Sequence, residues 1–221
     1  MSAQLDLRAA PGFIEPAIRE EFPGLRLDWM TVDSRPRESP PGVKERLRSL
    51  ANRYRGADVV AMRTKPIPRA YRTFYRQIGL DPDTSRVPSE RAAVARLLQG
   101  GFPSIDLVQD ALLIALVETG VPVWALDAER VDVGGLGIRT TTERDRLGSG
   151  EHAEQLAPGQ LAVADAAAVH SLLFDDVAPE HAVRRGTARI ALYTVGVDGV
   201  PAIHIEESLW LCADVLRTRE R

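Results

Sequence analysis

The chain of 221 residues is long enough for one domain with a large core, and its 44% hydrophobic and 27% charged residues are typical of soluble globular proteins. It contains no run of about 18 apolar residues, which excludes a membrane-spanning helix, and residues 1–11 lack the apolar segment of a secretory signal. The formal net charge of −3 argues against a protein dedicated to binding nucleic acid.

The first quarter of the chain alternates between helical and extended patterns. Residues 13–22 predict a short helix that ends before a Pro-Gly pair, and LRLDWMTV (25–32) alternates in the manner of a half-buried strand. Residues 34–42 include three prolines and predict an exposed loop. The apolar stripe of residues 43–54 predicts a helix, and DVVAMRT (58–64) predicts a strand.

Residues 65–103 predict two short helices. In the first, Tyr71, Phe74 and Tyr75 recur at helical spacing, and Gly79 follows as a residue able to adopt positive φ. The arginines of this segment fall off the apolar stripe. The second helix starts at Ser89, an expected N-cap, and ends at a pair of glycines. The first helix therefore combines a basic face with an aromatic face.

The most apolar predicted helix covers residues 105–119, with Ser104 as its expected N-cap. Asp106 lies in the first turn, where the helix dipole favours a carboxylate. Asp110 lies one turn deeper on an otherwise apolar surface, and a buried carboxylate needs a partner or a shifted pKa. Asp110 is therefore either a structural contact to an arginine or the backbone, or part of a functional site.

Beyond residue 120 the apolar period changes from 3.6 to 2. Strands are predicted at residues 121–127, 130–134, 160–166, 168–174 and 188–197. Residues 134–159 between them are polar and predict a hairpin arm or a mobile lid. The pair Asp198-Gly199 predicts a hairpin turn, and residues 205–218 predict a closing helix. Helices mainly in the first half and strands mainly in the second indicate a single α+β domain over residues 1–221.

Few residues have the spacing of a catalytic or metal motif. The four histidines are scattered, and neither a glycine-rich phosphate loop nor a nucleophile elbow is present, so we expect no metal and no other cofactor. The single cysteine, Cys212, lies in the apolar run LWLCADVL and is expected to be buried. One cysteine excludes an internal disulfide and favours a cytoplasmic protein.

Charge is distributed unevenly along the chain. Residues 35–96 contain 15 Lys or Arg and 6 Asp or Glu, which gives +9 and leaves −12 for the remainder of the −3 total. Such asymmetry is typical of a protein with one side facing nucleic acid. The alternative is an ordinary solvated helical surface in a chain where arginine outnumbers lysine 26 to 2.

The segment YRTFYRQIGLDPDTSRVPSERAAVARLL resembles the signature of the B3/B4 domain in the β subunit of phenylalanyl-tRNA synthetase, and most resembles the free-standing bacterial B3/B4 proteins. The shared features are the pair Tyr71-Arg72, an aromatic pair, a glycine, and Arg86 followed by Ser89. The resemblance continues through GVPVWALD (120–127) and PGQLAVAD (158–165) and covers residues 13–192. It implies a layered sandwich of sheets and helices.

In the synthetase, the B3/B4 domain hydrolyses tyrosine wrongly joined to the phenylalanine tRNA. The resemblance therefore implies a trans-acting hydrolase of mischarged aminoacyl-tRNA, in which a positioned water attacks the ester. Asp110 and His170 are the candidate catalytic residues. The candidate substrate- or RNA-binding residues are Tyr71, Arg72, Tyr75, Arg86, Ser89, Asp127 and Asp165.

Each of these roles has a structural alternative. The tyrosines have the spacing of core residues, and Arg72 or Arg86 could form an ion pair with Asp110, Asp127 or Asp165. Leu113 and Leu116 replace polar residues of the family pattern, which predicts a drier cavity. Two other functions therefore stay open: an RNA-binding module without catalysis, and a binder of a small aromatic or apolar metabolite or of a partner protein.

Overall fold

The computed structural model describes residues 9–53, 56–148 and 153–218, and the statements that follow concern these residues. Tyr54 and His152, which the sequence interpretation used, lie outside them. The helices span Pro16–Glu21 (α1), Pro41–Arg53 (α2), Gly56–Ala61 (α3), Pro66–Gln77 (α4), Pro88–Gln99 (α5), Leu107–Thr119 (α6) and Ala202–Arg217 (α7). Short 3-10 helices span Met62–Thr64 and Val133–Gly135.

The strands form two sheets. They span Ala10–Pro11 (β1), Phe13–Ile14 (β2), Arg26–Asp33 (β3), Val123–Asp127 (β4), Gly137–Thr140 (β5), Arg146–Leu147 (β6), Glu154–Gln155 (β7), Leu161–Ala164 (β8), Val169–Leu172 (β9) and Arg189–Gly196 (β10). The first sheet has the antiparallel order β1-β3-β10-β4, and the second has the mixed order β2-β5-β8-β9-β6-β7.

The first sheet is covered on both faces. Along β10, Ile190 and Leu192 point into a core with α2, α6 and α7, while Ala191, Tyr193 and Val195 point into a second core with α4 and the second sheet. This alternation follows from the two-residue period of a strand. The resulting layers of helices, sheet, and sheet with helix confirm the predicted α+β sandwich.

Two segments predicted as strands are helical. Residues 58–64 form the end of α3 and a 3-10 helix, in which Met62 is buried and Val60 remains 79% exposed. A strand needs a neighbour for its backbone groups, and no described strand lies alongside this segment. Residues 130–134, the other segment predicted as a strand, form a bend and the start of the second 3-10 helix.

Three further boundaries differ from prediction. Residues 13–14 form β2 beside β5, and α1 begins only at Pro16, because a proline is favoured in the first turn. The turn at Asp198-Gly199 leads into α7 rather than a second hairpin strand, since Pro201 is the N-cap residue of that helix. The described part of residues 134–159 contains β5, β6 and β7, so it belongs to the second sheet.

Candidate functional site

A cleft separates the end of α4 and the start of α5 from strands β8 and β9. It consists of two adjoining hollows of about 380 and 330 Å³, which share Leu80, Leu173 and Asp175. We call it the α4–β9 cleft. Its walls join the arginine-bearing helical half of the chain to the late strands. Volumes of this size are typical of small-molecule sites.

The floor of the cleft is formed by Tyr75 and Phe174, which are 3% and 5% exposed and belong to an aromatic cluster that continues into the core. The Phe174 ring centroid lies 5.0 Å from that of Tyr75, 5.8 Å from Tyr71, 5.9 Å from Phe74 and 6.1 Å from Trp124. Tyr75 is buried, and burial raises the pKa of its phenol, so the ring carries a neutral hydroxyl. This floor offers an apolar surface for a planar or hydrocarbon group.

Phe174 has a strained backbone. Its φ is 68°, and among the described non-glycine residues it alone adopts positive φ. A bulky residue in the left-handed region costs about 1–3 kcal/mol and is found preferentially at functional sites. The left-handed conformation at Phe174 turns the chain after β9. Phe174 is buried, whereas the next residue, Asp175, is exposed and lines the cleft.

The rim of the cleft is polar and carries two cations. Arg86 and Arg91 are exposed, and a guanidinium nitrogen of Arg91 donates to the carbonyl oxygen of Phe174 at 3.4 Å. Asp175 lines the same hollow. Thr84, Ser85, Gln77 and Gln160 complete the polar lining. A cationic edge beside an aromatic floor can bind a phosphate and an attached apolar group together.

Of the candidate residues, Arg86 and Tyr75 line this cleft, and the neighbouring candidates are inside the core. Tyr71 is 1% exposed and donates its hydroxyl to the carbonyl oxygen of Val195 at 2.7 Å. Arg72 is buried and pairs with Glu90 at 3.0 Å and Asp83 at 2.7 Å. These partners are not the aspartates expected from the sequence. Arg72 thus ties α4 to α5 and to the loop between them.

Asp110 is held by the segments that precede α6. One carboxylate oxygen accepts from the hydroxyls of Ser39 at 2.6 Å and Ser104 at 2.5 Å, and the other accepts from the Ile105 amide at 3.0 Å. It is 1% exposed and lines neither hollow of the cleft. Ser104 was expected to cap α6, but Asp106 does so by accepting from Val108 and Gln109.

Asp165 and His170 are brought together in the second sheet, with His181 beside them. Nε2 of His170 lies 3.1 Å from a carboxylate oxygen of Asp165, and its Nδ1 lies 3.1 Å from Nδ1 of His181. Burial would raise the pKa of Asp165, but amide donors from Asp132, Ala167 and Ala168 outweigh it and lower the pKa.

The protonation of His170 follows from these neighbours. Burial lowers its pKa, and the Asp165 carboxylate only partly opposes that effect, so the ring is neutral. A neutral ring beside a carboxylate favours its proton on Nε2, which makes Nδ1 the acceptor for an N–H of His181. The result is a chain of three polar groups, Asp165, His170 and His181.

The remaining candidates, Asp127 and Ser89, lie in other places. Asp127 accepts from the Thr187 hydroxyl at 2.7 Å and from the Glu129 amide at 3.1 Å, so it closes a buried turn after β4. Ser89 is the second residue of α5, since Val87 occupies the N-cap position. The structure therefore groups Tyr75 with Arg86, and Asp165 with His170, and places Asp110, Asp127 and Ser89 at three separate points.

Several lining residues were not singled out from sequence. Arg91 and Gln160 lie in the segments that show the resemblance, but no motif marks them or Asp175 as part of a site. The positive φ of Phe174 could not be predicted from the sequence, because glycine is the residue that commonly adopts positive φ.

The basic segment is partly neutralised. Ion pairs engage Lys44, Arg46, Arg48, Arg63 and Arg72 with neighbouring carboxylates.

In the described part of the chain, His, Cys, Asp and Glu side chains nowhere gather in threes that could hold a metal ion. No described helix combines the length and apolar character needed to cross a membrane. Comparison with known protein-family models and with curated proteins finds no match.

Proposed function

We propose that the protein binds the aminoacylated 3′ end of a transfer RNA in the α4–β9 cleft and hydrolyses mischarged esters there, as a free-standing relative of the B3/B4 domains. The observation that carries this proposal is the position of Arg86 and Arg91 at the edge of an aromatic floor. Arginines bind phosphates, and the floor can receive the amino-acid side chain or the terminal base. The proposal places the protein in the cytoplasm, where charged tRNA is found.

Hydrolysis of the ester requires the protein mainly to position the substrate and a water. An aminoacyl ester is already activated, so a water held beside its carbonyl carbon can cleave it. In the cleft, the Asp175 carboxylate can orient such a water, and the Gln160 and Gln77 amides can donate to the developing oxyanion. These three side chains are the ones we assign to the reaction.

A second candidate function is RNA binding without hydrolysis. It is favoured by the positions of Asp110 and His170, which lie outside the cleft lining: Asp110 accepts from Ser39 and Ser104, and His170 lies between Asp165 and His181. A third candidate, binding of a small aromatic or apolar metabolite or of a partner protein, uses the same aromatic floor without the phosphates. Ester hydrolysis uses the two arginines and Asp175, RNA binding uses the arginines, and binding of an apolar ligand uses the aromatic floor alone.

The test is a deacylation assay on a panel of correctly and wrongly charged tRNAs. We expect release of the amino acid from at least one mischarged tRNA, and loss of that activity in Asp175→Asn with tRNA affinity retained. Arg86→Ala and Arg91→Ala are expected to weaken tRNA binding and to reduce the dependence of log affinity on log salt by about one unit each.

Arg48→Ala is the matched control. Arg48 lies in the same basic segment on α2, is exposed and pairs with Glu45, three residues earlier in the helix. If Arg48→Ala lowers tRNA affinity as much as the cleft variants, binding is diffuse and the cleft is not the site. Binding without deacylation of any tRNA would establish the second candidate, and saturable binding of free amino acids without tRNA binding the third.

A further inference from the structure

A second cavity lies at the opposite end of α4 from the cleft. It has a volume of about 510 Å³, within the range of small-molecule sites, and shares none of its lining residues with the cleft. The starts of α4, α5 and α7 and the end of α6 surround it. We call it the α4–α7 cavity.

Most of its wall is apolar. Met62 is 2% exposed, Pro68 is buried, and Ile67 and Val117 are partly buried beside Pro66 and Pro201. An apolar cavity that opens to the surface exposes hydrocarbon to water, and a ligand with an apolar body removes that exposure. The wall therefore fits a hydrocarbon or aromatic group rather than a sugar.

One wall residue has an unused polar atom. Ser89 is 4% exposed, and its hydroxyl has no hydrogen-bond partner among the described residues. Burying a hydroxyl without a hydrogen-bond partner destabilises the folded chain. A ligand that accepts a hydrogen bond in the cavity would remove that destabilisation, so Ser89 indicates an acceptor at this wall.

Three helix N-termini face the same cavity. The first turns of α4, α5 and α7 contribute Ile67, Ser89 and His204, and in none of these helices does an N-cap side chain accept from the first-turn amides that are described. Pro66, Pro68 and Pro88 have no N–H, and the Glu90 and His204 amides donate to the carbonyl oxygens of Val87 and Pro201, so among the described first-turn groups the Ile67 and Ser89 amides are the donors at this wall. The aligned peptide dipoles favour an anion in front of them. All three helices are at least 12 residues long.

The charged side chains in the cavity wall are Lys65 and Glu118. Lys65 and His204 lie in its wall, and the Glu118 carboxylate there is held by both guanidinium nitrogens of Arg46 at 2.8 Å. The end of α6, which presents partial negative charge, is capped by the Gly120 amide donating to Leu116. The net field at the Ser89 wall therefore favours an anionic group.

We infer that the α4–α7 cavity binds a small organic acid: its carboxylate accepts from the Ser89 hydroxyl and from the Ile67 and Ser89 amides, and its apolar body lies beside Met62 and Val117. This second site is independent of the function proposed for the cleft. It requires neither tRNA nor ester hydrolysis.

The experiment is calorimetric titration of the full chain with octanoate, with 1-octanol as the uncharged probe of equal length. We expect saturable octanoate binding and at least about tenfold weaker octanol binding, the factor that loss of one charge-assisted hydrogen bond produces. Ser89→Ala should weaken octanoate about tenfold and leave octanol unchanged. Val117→Trp, which fills the cavity, should abolish binding of both.

The two lysines of the chain supply a matched pair. Lys65 lies in the cavity wall, whereas Lys44 pairs with Glu38 elsewhere. Octanoate should slow acetylation of Lys65 and leave that of Lys44 unchanged, and Lys65→Gln should weaken octanoate more than Lys44→Gln. Equal affinities for octanoate and octanol, or an unchanged octanoate affinity in Ser89→Ala, would overturn the inference. Ser89→Ala only removes one oxygen, so its folding is not at issue.

Discussion

His170 and His181 meet at their Nδ1 atoms, 3.1 Å apart, with the two rings nearly perpendicular. One nitrogen must carry a hydrogen and the other must accept it, so both rings cannot be fully protonated without breaking the contact. Asp165 lies on the far side of His170, and Arg139 adds a positive field that disfavours a charged His170 ring. The pair therefore makes folding sensitive to acid.

We expect the free energy of unfolding to fall as the pH drops below about 6.5. Burial lowers the pKa of His170 in the folded chain from its ordinary value of 6.5, so the unfolded chain binds the proton first. Stability from this group is complete above that value and decreases towards the lower folded pKa, by at most about 1.4 kcal/mol per pH unit. Urea unfolding between pH 5 and 8 measures it.

A histidine outside this contact provides the control. His204 is 40% exposed and contacts Glu207 on the surface of α7, so His204→Gln should keep the slope. His170→Gln should flatten the curve in this window. An unchanged slope in His170→Gln would assign the acid sensitivity to another group.

Asp110 is expected to support the start of α6. In Asp110→Ala, the hydroxyls of Ser39 and Ser104 and the Ile105 amide lose their acceptor, which should lower the free energy of unfolding by about 2–4 kcal/mol. Asp106→Ala removes the N-cap alone and should cost about 1 kcal/mol. Chemical denaturation distinguishes the two. A fully stable Asp110→Ala variant that loses deacylation would instead support the catalytic role predicted from sequence.

Arg72 and Glu90 are both buried and face each other, so removing one leaves the other charged and unpaired. Arg72→Met should therefore lower the free energy of unfolding by about 3–5 kcal/mol, and the double variant Arg72→Met, Glu90→Leu should recover most of it. Denaturation of the single and double variants measures the coupling. If the double variant is stable but binds tRNA poorly, Arg72 also contacts RNA.

Phe174 provides a test of backbone strain. Because its φ is 68°, Phe174→Gly should be more stable than Phe174→Ala by about 1 kcal/mol, although both lose the same ring contacts. Phe74 in α4 is the matched control, since there alanine should exceed glycine by about 1 kcal/mol. Thermal unfolding of the four variants decides this. The same order at both positions would contradict a strained Phe174.

Much of the architecture could be predicted from local pattern. The aromatic stripe of α4, positive φ at Gly79, the apolar helix α6 and the strands β4, β8, β9 and β10 all appear where the periodicity placed them. The prediction of a strand at residues 58–64 was wrong. Two adjacent valines favour a strand locally, but no described strand edge lies beside this segment for it to pair with. The prediction of a hairpin at Asp198-Gly199 was wrong because Pro201 is the N-cap of a helix that follows the turn.

The amino-acid sequence by itself determined the α+β class and the burial of Tyr71, Phe74 and Cys212, because apolar periodicity depends only on neighbouring residues. Tertiary structure alone decided that Arg72 pairs with Glu90, that Asp110 holds the start of α6, and which arginines reach the cleft. Those contacts join groups from different elements, and their geometry is fixed only when the sheets and helices pack.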